Sequence, residues 1–194
     1  MTRRRPAARF LMTAAALIAV TLSLQAGRAA EAPMAPAAPP AEMKQLDFLV
    51  GTWKVSGTFS GEMAGELSGQ VTVRPIGGGF FLLRESTTEI RAQGVPDPIT
   101  GEDLTVIRYD TAAKQFALDA YDSGPGFKGI GTMDKSAFVM SFPPEPGALP
   151  GGFRVTVKPD GRNALQSTAE LSDDGGKTWT TVLELKYTRV PAPK

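Results

Sequence analysis

The sequence predicts an all-β domain: an antiparallel meander of about ten strands closed into a barrel, with a short helix at one end. Two observations carry this. Between residues 51 and 190 apolar and polar residues alternate in short runs, and a period of two marks strands with one buried face. Most of these runs are joined by short turns, which make neighbouring strands antiparallel. The composition, with 21 Gly, 16 Pro and aromatic residues spread along the chain, leans the same way. Closure into a barrel removes the exposed edges that template aggregation. A two-sheet sandwich is the alternative.

The elements follow in order. Met43, Leu46, Leu49 and Val50 recur at helical spacing, so residues 42–50 read as a short helix. Trp53, Val55, Gly57 and Phe59 then alternate with Thr52, Lys54, Ser56 and Thr58, the pattern of a half-buried first strand. Residues 67–74 form a second strand stopped by Pro75, and Gly77-Gly-Gly79 forms a turn or bulge. A long strand opens with Phe80-Phe-Leu-Leu83 and becomes polar towards Ile90. Residues 91–101 read as a loop. Residues 104–109 and 116–121 read as a hairpin, and residues 127–133 and 137–142 as another across Asp134-Lys135. The Pro- and Gly-rich residues 143–152 form the second long loop. Strands at 153–158 and 165–171 flank Pro159-Asp-Gly161, and the last strand, 179–190, places Trp179, Leu183, Leu185 and Tyr187 on one face.

The first forty residues read as an address and a spacer. Arg3, Arg4, Arg5 and Arg9 precede the apolar stretch 10–24, and Gly27-Arg-Ala29 offers small residues for cleavage. This is the pattern of a secretory signal peptide over residues 1–29. The apolar run is shorter than the ~20 residues a membrane-spanning helix needs. The paired arginines raise twin-arginine export, but Pro6, Ala7 and Ala8 lack the bulky apolar pair that export signal carries, so general secretion is expected. The product would be periplasmic or extracellular in a bacterium, with no membrane span in the mature chain. Residues 30–42, rich in Pro and Ala, read as a disordered linker. The barrel domain is expected over 43–190, with a tail at 191–194.

Composition excludes several chemistries. Of the 194 residues, 42% are hydrophobic and 21% charged, which suits one globular domain plus extra segments. Net charge is +1, but residues 1–29 hold five of the 21 basic residues and no acid. Beyond residue 29, 16 basic side chains face 20 acidic ones. A mildly acidic folded part gives no electrostatic case for a nucleic-acid partner. The sequence contains no cysteine and no histidine. Disulfides, thiolate nucleophiles, imidazole metal ligands and the commonest general base are therefore absent.

Some motifs carry a resemblance. Phe48-Leu-Val-Gly-Thr-Trp53 resembles the Gly-x-Trp opening of the calycins, the lipocalins and their relatives, in which a short helix closes one barrel end. Residues 43–190 more closely resemble the bacterial domain of unknown function 1579 family. The motifs are Gly77-Gly-Gly-Phe80, the hairpin from Asp110 to Phe116, and Asp174-Gly-Gly-Lys-Thr-Trp179. The resemblance implies a lipocalin-like barrel and no established activity. A related ten-stranded barrel family binds haem through a histidine; with none here, histidine-ligated haem is excluded and no cofactor is expected.

Several residues stand out as site candidates. The resemblance implies that Trp53 packs at a barrel end under a late arginine, for which Arg189 is the candidate; Gly51 belongs to the same motif. Ser172-Asp-Asp-Gly-Gly-Lys-Thr-Trp179 fits an Asp-box hairpin, in which Asp174 caps backbone amides, Gly176 takes positive φ and Trp179 packs beneath. Two aspartates are too few ligands for calcium, which takes 6–8 oxygens, and no metal is expected. Gly77-Gly-Gly79 lacks the Lys-Ser/Thr and the helix of a phosphate loop. Arg84 shares a strand face with Phe80 and Leu82, and Arg108 with Leu104 and Val106. If both faces point inwards, the two guanidinium groups would hold a ligand carboxylate; the alternative is that each reaches solvent along its stem. Asp119 and Glu85 are candidates to neutralise a buried arginine.

The leading expectation is therefore a secreted, monomeric barrel that takes a small apolar or amphipathic ligand in its interior. The competing readings are a solid-core envelope accessory or interaction protein, and a histidine-free hydrolase with paired carboxylates. No nucleophile–base pair is visible, so an enzyme is not the expectation.

Overall fold

In the computed structural model, residues 37–61, 64–122, 124, 126–144 and 151–191 are described. The signal-peptide reading of 1–29 and most of the linker reading lie outside them. The chain forms ten antiparallel strands closed into one barrel, β1 Gly51–Phe59, β2 Gly65–Ile76, β3 Phe81–Ala92, β4 Ile99–Asp110, β5 Gln115–Tyr121, β6 Phe127–Asp134, β7 Ala137–Phe142, β8 Phe153–Pro159, β9 Ala164–Leu171 and β10 Thr180–Arg189. Each strand pairs with its sequence neighbours, and β1 pairs with β10 to close the ring. The register there places Trp53 opposite Arg189 and Val55 opposite Tyr187.

The helix before β1 is a 3₁₀ helix, Ala41–Leu49. A 3₁₀ helix has three residues per turn, so side chains three apart eclipse. Met43, Leu46 and Leu49 are spaced by three and are its buried residues. Leu46 is fully buried, which is worth about 1.5–3 kcal/mol. The helix thus begins at residue 41, one residue ahead of the expected 42, within the stretch read as linker.

Several strand boundaries differ from expectation, each for a visible reason. β2 runs through Pro75 to Ile76. Pairing with β1 ends at Val73, so Pro75 needs no N–H on that side and pairs only with Leu82 of β3. β4 begins at Ile99 rather than Leu104, because Ile99, Thr100 and Gly101 continue the ladder opposite Ile90, Glu89 and Thr88. Gly77, Gly78 and Gly79 have φ of 58°, 69° and 94°. Three successive left-handed residues exclude any side chain with a Cβ at low cost, and the turn reverses the chain between β2 and β3.

The two barrel ends differ. The 3₁₀ helix and the starts of β1, β3 and β5 mark the closed end. Here Trp53, Ile107, Leu118 and Phe138 are fully buried. The rings of Tyr109, Phe116 and Phe138 stack edge to face, with centroids 5.2 and 5.4 Å apart. They fit because β6 presents Gly131 inwards, where an added Cβ would come within 2.5 Å of the Phe138 ring; nearer the other end Gly129 leaves room for Phe142 in the same way, at 2.7 Å. The opposite end carries the loops after β1, β3, β5, β7 and β9.

Candidate functional site

The interior of the barrel holds a cavity of about 560 Å³. This lies within the ~300–1,000 Å³ range of small-molecule pockets. Its wall is mostly apolar, with Val55 and Val71 from β1 and β2, Val155 and Val157 from β8, and Leu183 and Leu185 from β10. Trp53 and Leu49 form its floor at the closed end. At the other end Tyr121 and Leu171 line it while 50% and 37% exposed, so the cavity opens to solvent at the end away from the 3₁₀ helix.

A few polar groups interrupt this wall. Arg84 lines the cavity from β3, on the same inward face as Leu82, which is buried. Its Nη1 donates to Oδ1 of Asp103 on β4, and Ser86 Oγ donates to the other carboxylate oxygen. Burial alone lowers the Arg84 pKa, but the attraction and hydrogen bonds of Asp103 and Tyr187 raise it above the ordinary arginine value. Tyr187 of β10, beside that guanidinium, has its pKa raised, chiefly by burial. It remains a neutral phenol with a hydrogen to donate. Ser167 of β9 is 3% exposed and lines the cavity, and its hydroxyl has no hydrogen-bond partner among the described residues. Ser167 stands opposite Leu185, and Tyr187 opposite Leu165, so the two residues are diagonal neighbours on adjacent strands.

Arg108 is not brought to Arg84. Asp103, Thr105 and Ile107 of β4 line the cavity, so strand alternation turns Leu104, Val106 and Arg108 outwards. The Arg108 side chain is 45% exposed and lies 3.7 Å from Asp110. The apolar Leu104 and Val106 imitated an inward face, because Val106 stands opposite Leu83 on the outside of the sheet. Phe80 also leaves the expected set. It sits in the helical φ/ψ region after the glycine turn, before β3 begins, so it shares no strand face with Arg84. The expected neutralising acids are engaged elsewhere, Glu85 with Arg74 at 3.5 Å and Asp119 with Lys128 at 2.8 Å. Asp103, the partner Arg84 has, belongs to the start of β4, ahead of Leu104 where the sequence pattern began the strand. The alternation Asp103, Thr105, Ile107 was the available signal.

The closed end is held by a second constellation. Arg189 places its guanidinium carbon 4.1 Å from the Trp53 ring centroid and donates from Nη1 to the Val50 carbonyl at 2.7 Å. The Trp53 indole N–H donates to the Leu49 carbonyl at 2.8 Å. Two carbonyls at the helix end are thereby satisfied. Gly51 has φ of 141°, and a Cβ there would lie 2.3 Å from Arg189 Nη1.

A parallel arrangement stands at the open end. Asp174 accepts hydrogen bonds from the N–H groups of Lys177 and Thr178 at 2.9 and 2.8 Å and from the Thr178 hydroxyl at 2.7 Å. Led by the Thr178 contacts, these lower its pKa to about 2. Gly176, with φ of 88°, donates to Ser172 Oγ at 2.7 Å and accepts from the Trp179 indole at 3.1 Å. Trp179 precedes β10 and lies under Arg154, 4.3 Å away. It does not share the inward face of Leu183 and Leu185, because a register shift between Thr181 and Leu183 breaks the alternation.

Among the described residues no group of three acidic, histidine or cysteine side chains is placed to hold a metal ion. No helix among them is long and apolar enough to cross a membrane.

Comparison with known proteins places these features in a wider set. A family model described as "Protein of unknown function (DUF1579)" matches residues 38–189. No curated protein matches the sequence. Among solved structures, Rv2717c from M. tuberculosis superposes with a TM-score of 0.54 at 14% identity, covering 79% of this chain and 99% of that one. The S-type phycobiliprotein lyase CPES from Guillardia theta superposes with a TM-score of 0.55 at 11% identity, covering 80% of this chain and 100% of the other. Both likenesses are of fold.

Proposed function

The chain belongs to the DUF1579 family of proteins of unknown function, and from its lipocalin-like barrel we propose that it binds one small amphipathic ligand in the barrel interior. The observation that carries this reading is the cavity of about 560 Å³, apolar along its wall and open at one end. Barrels of eight to ten strands enclose either a filled core or one small ligand, and here the interior has room. The Ser167 hydroxyl supports the same reading, because a buried hydroxyl without a partner is costly unless something else completes its hydrogen bonding. The ligand's apolar part lies along the valine and leucine wall, and its polar end reaches the Ser167 hydroxyl.

The site favours binding over catalysis. Asp103 is engaged by Arg84 and Ser86, which holds it as a charge partner. The protein acts in the periplasm or outside the cell, exported by general secretion through residues 1–29, and works as a monomer. Basic residues followed by the apolar stretch 10–24 support that address.

Native mass spectrometry of protein purified from its own host, with organic extraction of anything bound, tests the binding reading. A co-purifying amphipathic molecule at one per chain is the expected result. Protein that carries none, and takes up no amphipathic probe, rules the reading out. Fractionation with N-terminal sequencing tests export; a mature chain beginning near residue 30 is expected.

A further inference from the structure

The charges inside the cavity specify the ligand further, resting on the binding reading above. Among the described residues along the cavity wall, Arg84 is the cation, facing the acids Asp103 and, at the rim, Asp122. Arg84 is already paired. Ser86 stands directly opposite Asp103 across the β3–β4 ladder, and Arg84 stands opposite Thr105, two residues along. The two strands hold both donors on the same carboxylate. A tethered partner competes at an effective concentration of about millimolar or more. A dissolved carboxylate at micromolar concentration does not displace it. A ligand carboxylate would therefore enter beside two acids and lose its water with no cation to receive it, which is heavily penalised.

Hydroxyl chemistry is what the cavity leaves open. Ser167 Oγ, at 3% exposure, has no partner among the described residues. The hydroxyl of Tyr187, buried on the neighbouring strand, adds a second neutral group. An alcohol, ester or amide can accept a hydrogen bond from either hydroxyl without bringing a charge into the barrel.

We infer that the interior selects amphipathic molecules with an uncharged polar head, such as an alcohol, ester or amide, over the matching carboxylates. Displacement of the neutral fluorescent probe N-phenyl-1-naphthylamine from the full-length protein tests this, with 1-dodecanol and dodecanoate as competitors at pH 8. Dodecanol is expected to compete at least about tenfold more tightly. Asp103→Asn releases the Arg84 charge and is expected to reverse the order in favour of dodecanoate. Ser167→Ala leaves the ion pair intact and is expected to weaken dodecanol by up to about tenfold while leaving dodecanoate unchanged, so the test holds should the Asp103 variant not fold. Dodecanoate that equals or beats dodecanol on the wild-type protein overturns the inference and leaves the binding reading intact. So does a Ser167→Ala protein with unaltered dodecanol affinity. A probe that does not bind at all overturns the binding reading, and this inference with it.

Discussion

The guanidinium of Arg189 lies over the Trp53 indole, 4.1 Å from its centroid, and hydrogen-bonds the Val50 carbonyl. The last strand thus clamps the start of the first, at the point where the 3₁₀ helix gives way to β1. Cation–π contacts contribute about 0.5–2 kcal/mol, and the lost hydrogen bond leaves a carbonyl at the helix end without its donor. Arg189→Ala is expected to cost about 1–3 kcal/mol in urea denaturation. Gly51→Ala is expected to cost about 1–3 kcal/mol, because it strains the backbone and drives a methyl into Arg189. The double variant should cost less than the sum, since removing Arg189 relieves the clash. Strict additivity would show that the two residues do not share this contact.

The Asp-box turn makes stability depend on acid. Asp174 has a folded pKa of about 2 against an ordinary 3.8. A depressed carboxylate stabilises the fold above its unfolded pKa, and the contribution is lost as pH falls through the folded one. Asp174→Asn is therefore expected to be less stable than wild type at pH 7. The gap should narrow between about pH 4 and pH 2, as seen by denaturation at several pH values. A gap of constant size across that range would assign the turn's stability to something other than the Asp174 charge.

The packing at the closed end depends on a missing side chain. Phe138 is fully buried and lies against Gly131, where an added Cβ would be 2.5 Å from its ring. Phe116, paired with Gly131 across β5 and β6, packs edge-on against that ring, and its Cβ would lie 3.1 Å from the added methyl, so the methyl crowds both rings. Gly131→Ala is expected to destabilise the protein by about 1–3 kcal/mol. Thermal unfolding measures this, and an unchanged Tm would contradict the packing described.

The cavity can be filled without dismantling the core. Ala169 points inwards from β9 and lines the cavity. Ala169→Phe is expected to hold stability or raise it by up to about 2 kcal/mol, while N-phenyl-1-naphthylamine binding is lost. Probe binding at full affinity in the filled variant would place the probe outside the barrel.

Some of this molecule was legible in the chain itself. The two-residue alternation and the turn residues determined about ten strands and their antiparallel order, because each is local chemistry repeated along the sequence; they favoured a barrel over a sandwich, and the pairing of β1 with β10 decided it. The absence of histidine and cysteine is likewise complete in the sequence. Only the tertiary structure decided which face of β4 turns inwards. Alternation divides a strand's residues into two sets but does not say which set the barrel encloses. Arg108 therefore went outwards despite apolar neighbours, and Asp103 came inwards to neutralise Arg84. The hollow interior was settled at the same level. A cavity is the difference between the barrel's radius and the side chains of all ten strands together, a sum that no single stretch of sequence contains.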